Sequence, residues 1–254
     1  MQLIFSISNI CATLSKLTMD IEIWGLEEID MLRVDRSLAG VSSMMPQKCH
    51  NGDLTENLRN AICDILSSAV AGLLRTKAEP HGDVLAMYSF PEKGIDALIK
   101  AKSVIRRCDV LLRNLHVRKE VMLKHVKDGY SCMTEVVVYM VRELGYGGRR
   151  AHRICATLVR IARDRGIKAP ELTGQMLDEA AKLCEEQPPN LSTSVLQKCL
   201  DPVEFIRTHK NTGGPAPSET ERMVRIRQKV IADARARQEG RLNRITQGEQ
   251  LLKD

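Results

Sequence analysis

The chain has 254 residues, 38 Lys+Arg against 32 Asp+Glu, 43% hydrophobic and 28% charged content, and only 3% aromatic residues. That length and balance suit one large or two smaller globular domains and exclude a disordered tail or an aromatic-rich all-β protein. The net charge of +6 fits small anionic substrates, and the lack of aromatic stacking platforms argues against single-stranded nucleic acid.

Helical spacing begins at once. Leu3, Ile7, Ile10, Leu14, Leu17, Ile21 and Trp24 predict an amphipathic helix with a nearly heptad seam. No N-cap signal and no basic segment precede it. It therefore reads as the interior of a helix that starts upstream, not as a signal peptide or a membrane span. Residues 35–52 are rich in Ser, Gly, Met and Pro and read as a loop. A second long helix follows, marked by Leu54, Leu58, Ile62, Ile65, Ala69 and Leu73, with Asp53 as N-cap and Glu56 completing a capping box. Residues 78–91 read as irregular, and a third long helix is predicted over 92–115.

After His116 the elements shorten, with helices predicted near 118–127, 131–144, 148–165 and 172–185. Gly145 is the expected C-cap of one of them. Residues 187–218 carry most of the remaining turn residues. A charged helix over 219–239 is expected to end near Gly240. The pattern is all-α: a long-helix bundle over 1–115 with a special loop at 40–52, a smaller C-terminal helical domain over 116–218, and a charged helix and tail over 219–254.

The eight cysteines (Cys11, Cys49, Cys63, Cys108, Cys132, Cys155, Cys184 and Cys199) are scattered and form no C-x-x-C pair. They read as reduced thiols, with Cys63, Cys108 and Cys155 acting as small core hydrophobes in a cytoplasmic protein. In the last helix Arg222, Arg225, Arg227, Lys229, Arg235, Arg237, Arg241 and Arg244 alternate with Glu219, Glu221, Asp233 and Glu239. Such interleaving marks a solvated face rather than a nucleic-acid site. Its apolar stripe, Met223, Ile226, Val230 and Ala234, is expected to pack on its own domain or on a neighbouring subunit.

The run Val41-Ser42-Ser43-Met44-Met45-Pro46-Gln47-Lys48 carries the clearest chemistry. Two hydroxyls and a lysine stand just before a helix N-terminus, where free N–H groups and the helix dipole favour an anion. A serine in that field can act as a base or a nucleophile. The same residues are also compatible with ordinary turn chemistry.

The S-S-x-M-P-x-K pattern resembles the signature loop of the aspartase/fumarase superfamily, and the wider resemblance is to argininosuccinate lyase. Leu14 through Trp24 resembles the helix leading into that loop. Asp128-Gly129-Tyr130-Ser131-Cys132-Met133-Thr134-Glu135, Val141-Arg142 and Ala151-His152 resemble its C-terminal domain. Asn211-Thr212-Gly213-Gly214-Pro215-Ala216-Pro217 resembles its G-G-x-A-P stretch.

The resemblance implies a cofactor-free and metal-free β-elimination that releases fumarate from a succinyl-amino compound, as in arginine biosynthesis. A base takes the proton beside a carboxylate, and the enzyme stabilises the resulting aci-carboxylate. Ser42 matches the family's base, assisted by Ser43. Lys48 matches the lysine that meets a substrate carboxylate. His50 stands in the place of an asparagine, unless an insertion lets Asn51 substitute. It reads either as a donor to a carboxylate or as a surface histidine. Asp83 and Tyr88 stand by position where the family has a tyrosine and a glutamine that hold the substrate's amino-acid end.

Three departures qualify the match. Val41 replaces a glycine, and a β-branched residue does not readily take φ > 0. The family's Tyr-Asn-x-Asp-Leu-Gln stretch is missing from residues 80–88. Its S-R-N and T-H-x-Q segments are missing altogether. The resemblance thus implies roughly half of a lyase subunit, inactive alone. Its site would be completed in a homotetramer, or in a hetero-oligomer with a chain carrying the first half. The substrate would be a dicarboxylate-type small molecule, with neither membrane nor nucleic acid as partner. The alternative is a non-catalytic, degenerate helical interaction subunit of the same fold.

Overall fold

In the computed structural model, residues 2–45, 52–76, 80–82 and 84–252 are described, the side chains of 76 and 85–91 excepted. Ten α-helices account for most of them: α1 (Gln2–Trp24), α2 (Asp53–Thr76), α3 (Leu85–Arg113), α4 (Lys119–Asp128), α5 (Met133–Arg142), α6 (Gly148–Asp164), α7 (Gly174–Leu183), α8 (Thr193–Leu200), α9 (Pro202–Thr208) and α10 (Pro217–Leu251). The fold class is all-α, long helices first and shorter ones after. The chain separates into two compact units, Met1–Met122 and Leu123–Asp254.

The first unit packs α1, α2 and α3 against one another. Leu58, Ile62, Ile65 and Ala69 of α2 are buried at the 4-3-4 spacing of one helix face. Alpha-helix α3 answers with Ala97, Ala101, Val104, Cys108 and Leu111. Small residues thus face inward over its first half, while Ile95 and Ile99 stay 57% and 63% exposed. The seam of α1 differs from the expected one. Ile4, Ser8, Cys11, Thr18 and Ile21 are buried, whereas Leu3, Ile10 and Trp24 are exposed. The reason is that α1 is apolar on two sides, and only one of them meets α2 and α3 within this chain. Cys63, expected in the core, is exposed on α2.

Two three-residue strands were not foreseen: β1 (Leu32–Val34) and β2 (Leu115–Val117), antiparallel, with Leu32 opposite Val117, Arg33 opposite His116 and Val34 opposite Leu115. Strands this short show no alternation to read. Two further corrections concern helix starts. Gly52, not Asp53, occupies the N-cap place of α2, because its carbonyl accepts the Glu56 N–H at 2.9 Å. Helix α3 starts at Leu85 and includes Pro91, seven residues before the expected start.

The second unit is built on Val136 and Met140 of α5, Ile154 and Leu158 of α6, Leu177 of α7 and Leu196 of α8, all essentially inaccessible. Fully burying each such side chain contributes about 1.5–3 kcal/mol. The Tyr146 N–H reaches the Met140 carbonyl at 3.0 Å, closing α5 around Gly145 as expected. Side-chain caps start three helices. The Thr173 hydroxyl accepts from the Met176 N–H, the Ser192 hydroxyl from the Val195 N–H, and the Asp201 carboxylate from the Val203 N–H. The last two belong to α8 and α9, inside a stretch expected to be turns.

Helix α10 runs past Gly240 to Leu251, about 52 Å at 1.5 Å per residue. Of the two partners expected for its apolar stripe, its own domain or a neighbouring subunit, the first does not cover it: Ile226 and Val230 are 44% and 50% exposed. Only its first turn is anchored. Glu219, 6% exposed, accepts the Gly213 N–H on Oε1 at 2.9 Å, and Arg222 donates to both oxygens at 2.6 and 2.7 Å. These bonds lower its pKa from 4.5 to about 2, Arg222 first and Gly213 next. A carboxyl whose pKa is lower in the folded chain stabilises it above the unfolded pKa, and that contribution is lost as pH falls. Thermal unfolding of the second unit should therefore lose midpoint between pH 4.5 and 2. Glu219→Gln should flatten that part of the pH profile, as circular dichroism melts would show.

Candidate functional site

The loop bearing Ser42 leaves β1 through a turn built on Asp35. The Asp35 Oδ1 accepts from the Ser37 N–H at 2.9 Å and from the Ser37 hydroxyl at 2.6 Å, and its carbonyl accepts from the N–H groups of Leu38 and Ala39 at 2.9 and 3.1 Å. Across the strand pair, His116 Nε2 lies 3.3 Å from Asp35 Oδ2. Ser37 first, then His116, bring the Asp35 pKa down to about 2.

The loop then narrows. A Cβ on Gly40 would stand 2.5 Å from the Asp53 Cβ, so only glycine lets the strand lie against the first residue of α2. On the far side, the Thr55 hydroxyl is 2.7 Å from the Gly52 carbonyl oxygen and 3.2 Å from Glu22 Oε2, and Arg59 pairs with the same Glu22 oxygen. Both stems of the loop are thereby tied to helices of the first unit.

Ser42 sits half-buried between these stems. Its Oγ accepts the Met45 N–H at 3.0 Å and lies 3.4 Å from the Met44 nitrogen. Donors aimed at a hydroxyl oxygen favour its oxyanion form. Ser43 is exposed, as are Val41 and Met44. Positive φ among described non-glycine residues occurs at Asp30, Glu185 and Asn190. Val41 is thus unstrained where the family has glycine.

Of the other expected site residues, Lys48, His50, Asn51 and Asp83 lie outside the described residues, and Tyr88 lies on α3 with its side chain outside them. The stem residues Asp35, His116, Glu22, Thr55 and Arg59 were not foreseen. Asp-x-Ser is a recognisable Asx-turn signal; the others are brought together only by the fold. Two open clefts, of about 630 and 370 Å³, lie in the second unit, lined respectively by Arg207, Lys210 and Ser218 among others, and by Tyr146, Arg150 and Glu186 among others. Among the described residues no group of three or more His, Cys, Asp or Glu could hold a metal ion. No described helix is long and apolar enough to cross a membrane.

Residues 130–207 match the family model described as Argininosuccinate lyase C-terminal. The argininosuccinate lyase of Methanococcus maripaludis is 28% identical over 222 residues, covering 86% of this chain and 44% of that protein. This chain is similar to argininosuccinate lyases over a little under half of their length. The argininosuccinate lyase of Methanothermobacter thermautotrophicus is 26% identical and is covered over 47% of its length by 88% of this chain. A solved EDDS lyase variant with bound fumarate superposes with a TM-score of 0.83 at 30% identity, over 92% of this chain and 46% of that one. The chain thus spans about half the length of the argininosuccinate lyases it matches. The match to their C-terminal model falls on α5 to α9, the core of the second unit. The similarity to the full proteins extends across most of the first unit and its Ser42 loop as well. These relatives are lyases by name.

Proposed function

We propose that this chain supplies the signature loop and C-terminal domain of a fumarate-releasing carbon–nitrogen lyase whose active site is completed by other chains. The domain division we propose runs 1–115, 116–218 and 219–254. The observation that carries the reading is the Ser42 Oγ, met by the Met45 N–H at 3.0 Å on a loop whose two stems are anchored.

In the proposed reaction Ser42 Oγ, as the oxyanion, removes the proton from the carbon beside a substrate carboxylate. The electron pair moves into that carboxylate, giving the aci form. It returns to make the carbon–carbon double bond of fumarate as the carbon–nitrogen bond breaks, and the nitrogen leaves with the electron pair and takes up a proton. Ser43 assists at the loop, and Lys48 neutralises the carboxylate. His50, Asn51, Asp83 and Tyr88 are the proposed contacts to the rest of the substrate. Neither a metal nor an organic cofactor takes part.

The surface of the first unit supports assembly. Ile95, Ile99, Leu3, Ile10 and Leu73 are all more than half exposed, and a helix apolar on two sides needs a second partner. Such a face suits either a homotetramer or a hetero-oligomer with a chain bearing the missing half. The proposed setting is the cytoplasm, where the free thiols stay reduced.

The test is reconstitution. The chain is mixed with a separately produced N-terminal half of an argininosuccinate lyase and given argininosuccinate or EDDS. Rising ultraviolet absorbance from fumarate in the mixture, and not with either chain alone, is the expected result. A stable mixed complex on size exclusion that forms no fumarate from either compound would favour the second reading, a non-catalytic helical subunit. The departures over residues 80–88 are the feature that favours it.

A further inference from the structure

We propose that Asp35 is a positioning residue that fixes the Ser42 arm of the loop to the antiparallel β1–β2 pair. The functional part of this inference rests on the proposed lyase reading; the structural part does not. Asp35 uses every polar group it has. Its N–H donates to the Asn114 carbonyl at 3.0 Å, extending the β1–β2 ladder by one rung. Its carbonyl takes the Leu38 and Ala39 N–H groups, which turns the chain. One carboxylate oxygen holds Ser37 through both N–H and hydroxyl, and the other faces His116 Nε2.

The strand pair is in turn fixed. Leu32 is 5% exposed, the Arg118 N–H donates to the Met31 carbonyl at 3.0 Å, and Arg33 and Arg118 both pair with Asp30. Residues 36–45 therefore leave a rigid platform at an angle set by one side chain. The next fixed point is Gly40 against Asp53. Each exposed hydrogen bond is individually modest. Their joint effect is directional: six bonds converge on one residue, and Ser42 lies seven positions further on. A base must lie within hydrogen-bond reach of the proton it removes, and a displacement of about 1 Å costs on the order of a hundredfold in rate.

Three variants separate the contributions. Asp35→Asn keeps an acceptor for Ser37 and loses the charge facing His116. Asp35→Ala loses both. His116→Phe removes only the cross-strand side-chain bond. Hydrogen–deuterium exchange read by mass spectrometry on the full chain should show residues 36–45 exchanging about tenfold faster in Asp35→Ala, with α2 and α5–α8 unchanged. Asp35→Asn should recover most of that protection, and His116→Phe should lie between. In the reconstituted mixture, Asp35→Ala should lower kcat with KM little changed, and Asp35→Asn should restore most of it.

Unchanged exchange over 36–45 in Asp35→Ala would overturn the proposal, as would faster exchange spread over the whole chain or no recovery in Asp35→Asn. If the parent mixture forms no fumarate, the lyase reading fails, while the exchange pattern still decides whether Asp35 fixes the arm.

Discussion

Fumarate release by the reconstituted lyase should fall about a thousandfold when Ser42 is replaced by alanine, the span typical of losing a positioned base. The change removes the only atom in the described arm that combines a donor-stabilised oxygen with a place between the two stems. It also frees the Met44 and Met45 N–H groups, which are then capped by water on an exposed loop at little cost. The complex should therefore still assemble, and size exclusion with parallel initial rates separates chemistry from assembly. Ser43→Ala, at an exposed position, should cost much less. Full activity in Ser42→Ala would remove the serine from the proposed reaction and leave the fold assignment untouched.

Gly174→Ala should destabilise the second unit more than any other single methyl group added to it. A Cβ at Gly174 would lie 1.9 Å from the Leu191 carbonyl oxygen and 3.1 Å from its carbon. The Gly174 N–H donates to the Thr193 side-chain hydroxyl at 3.1 Å, so the start of α7 is tied to the start of α8 where its backbone lies against Leu191. Neither can withdraw without breaking that bond, and the expected cost is about 3 kcal/mol. Urea unfolding followed by circular dichroism would measure it. Gly148→Ala is the control: nothing lies within 4 Å of its added Cβ, and its effect should stay within about 0.5 kcal/mol.

The long helices were legible because their buried residues recur at 3.6-residue spacing; on α2 that spacing placed Leu58, Ile62, Ile65 and Ala69 inward, while Cys63 and Leu73, also expected inside, are exposed. Which side of α1 and α3 faces inward was not legible. Both carry two apolar faces, and choosing between them depends on partners that periodicity does not reveal. The helices α8 and α9 were hidden in a stretch flanked by turn-rich runs, Pro188-Pro189-Asn190 before it and Asn211-Thr212-Gly213-Gly214-Pro215 after it. Their caps, Ser192 and Asp201 followed by Pro202, were ordinary start signals that compositional bias obscured.

The site divides in the same way. Ser42 and Ser43 stand in a contiguous motif. The Asp35–His116 pair is separated by 81 positions and Glu22–Arg59 by 37, so only the closed fold puts them together. The absence of a glycine at 41 suggested an altered loop, yet the backbone there takes a conformation open to valine.

The distribution of thiols gives each unit its own reporter. Cys11 and Cys108 are buried in the first unit, Cys132, Cys155 and Cys199 in the second, and burial raises the pKa of each, that of Cys155 to about 12. Since the thiolate is the reactive form, an alkylating reagent meets these sulfurs only when the surrounding helices part. Among the described cysteines Cys63 is exposed and marks the immediate burst. The remaining modification, resolved by peptide, then times the breathing of the two units separately in the unmodified sequence, with no label engineered into either.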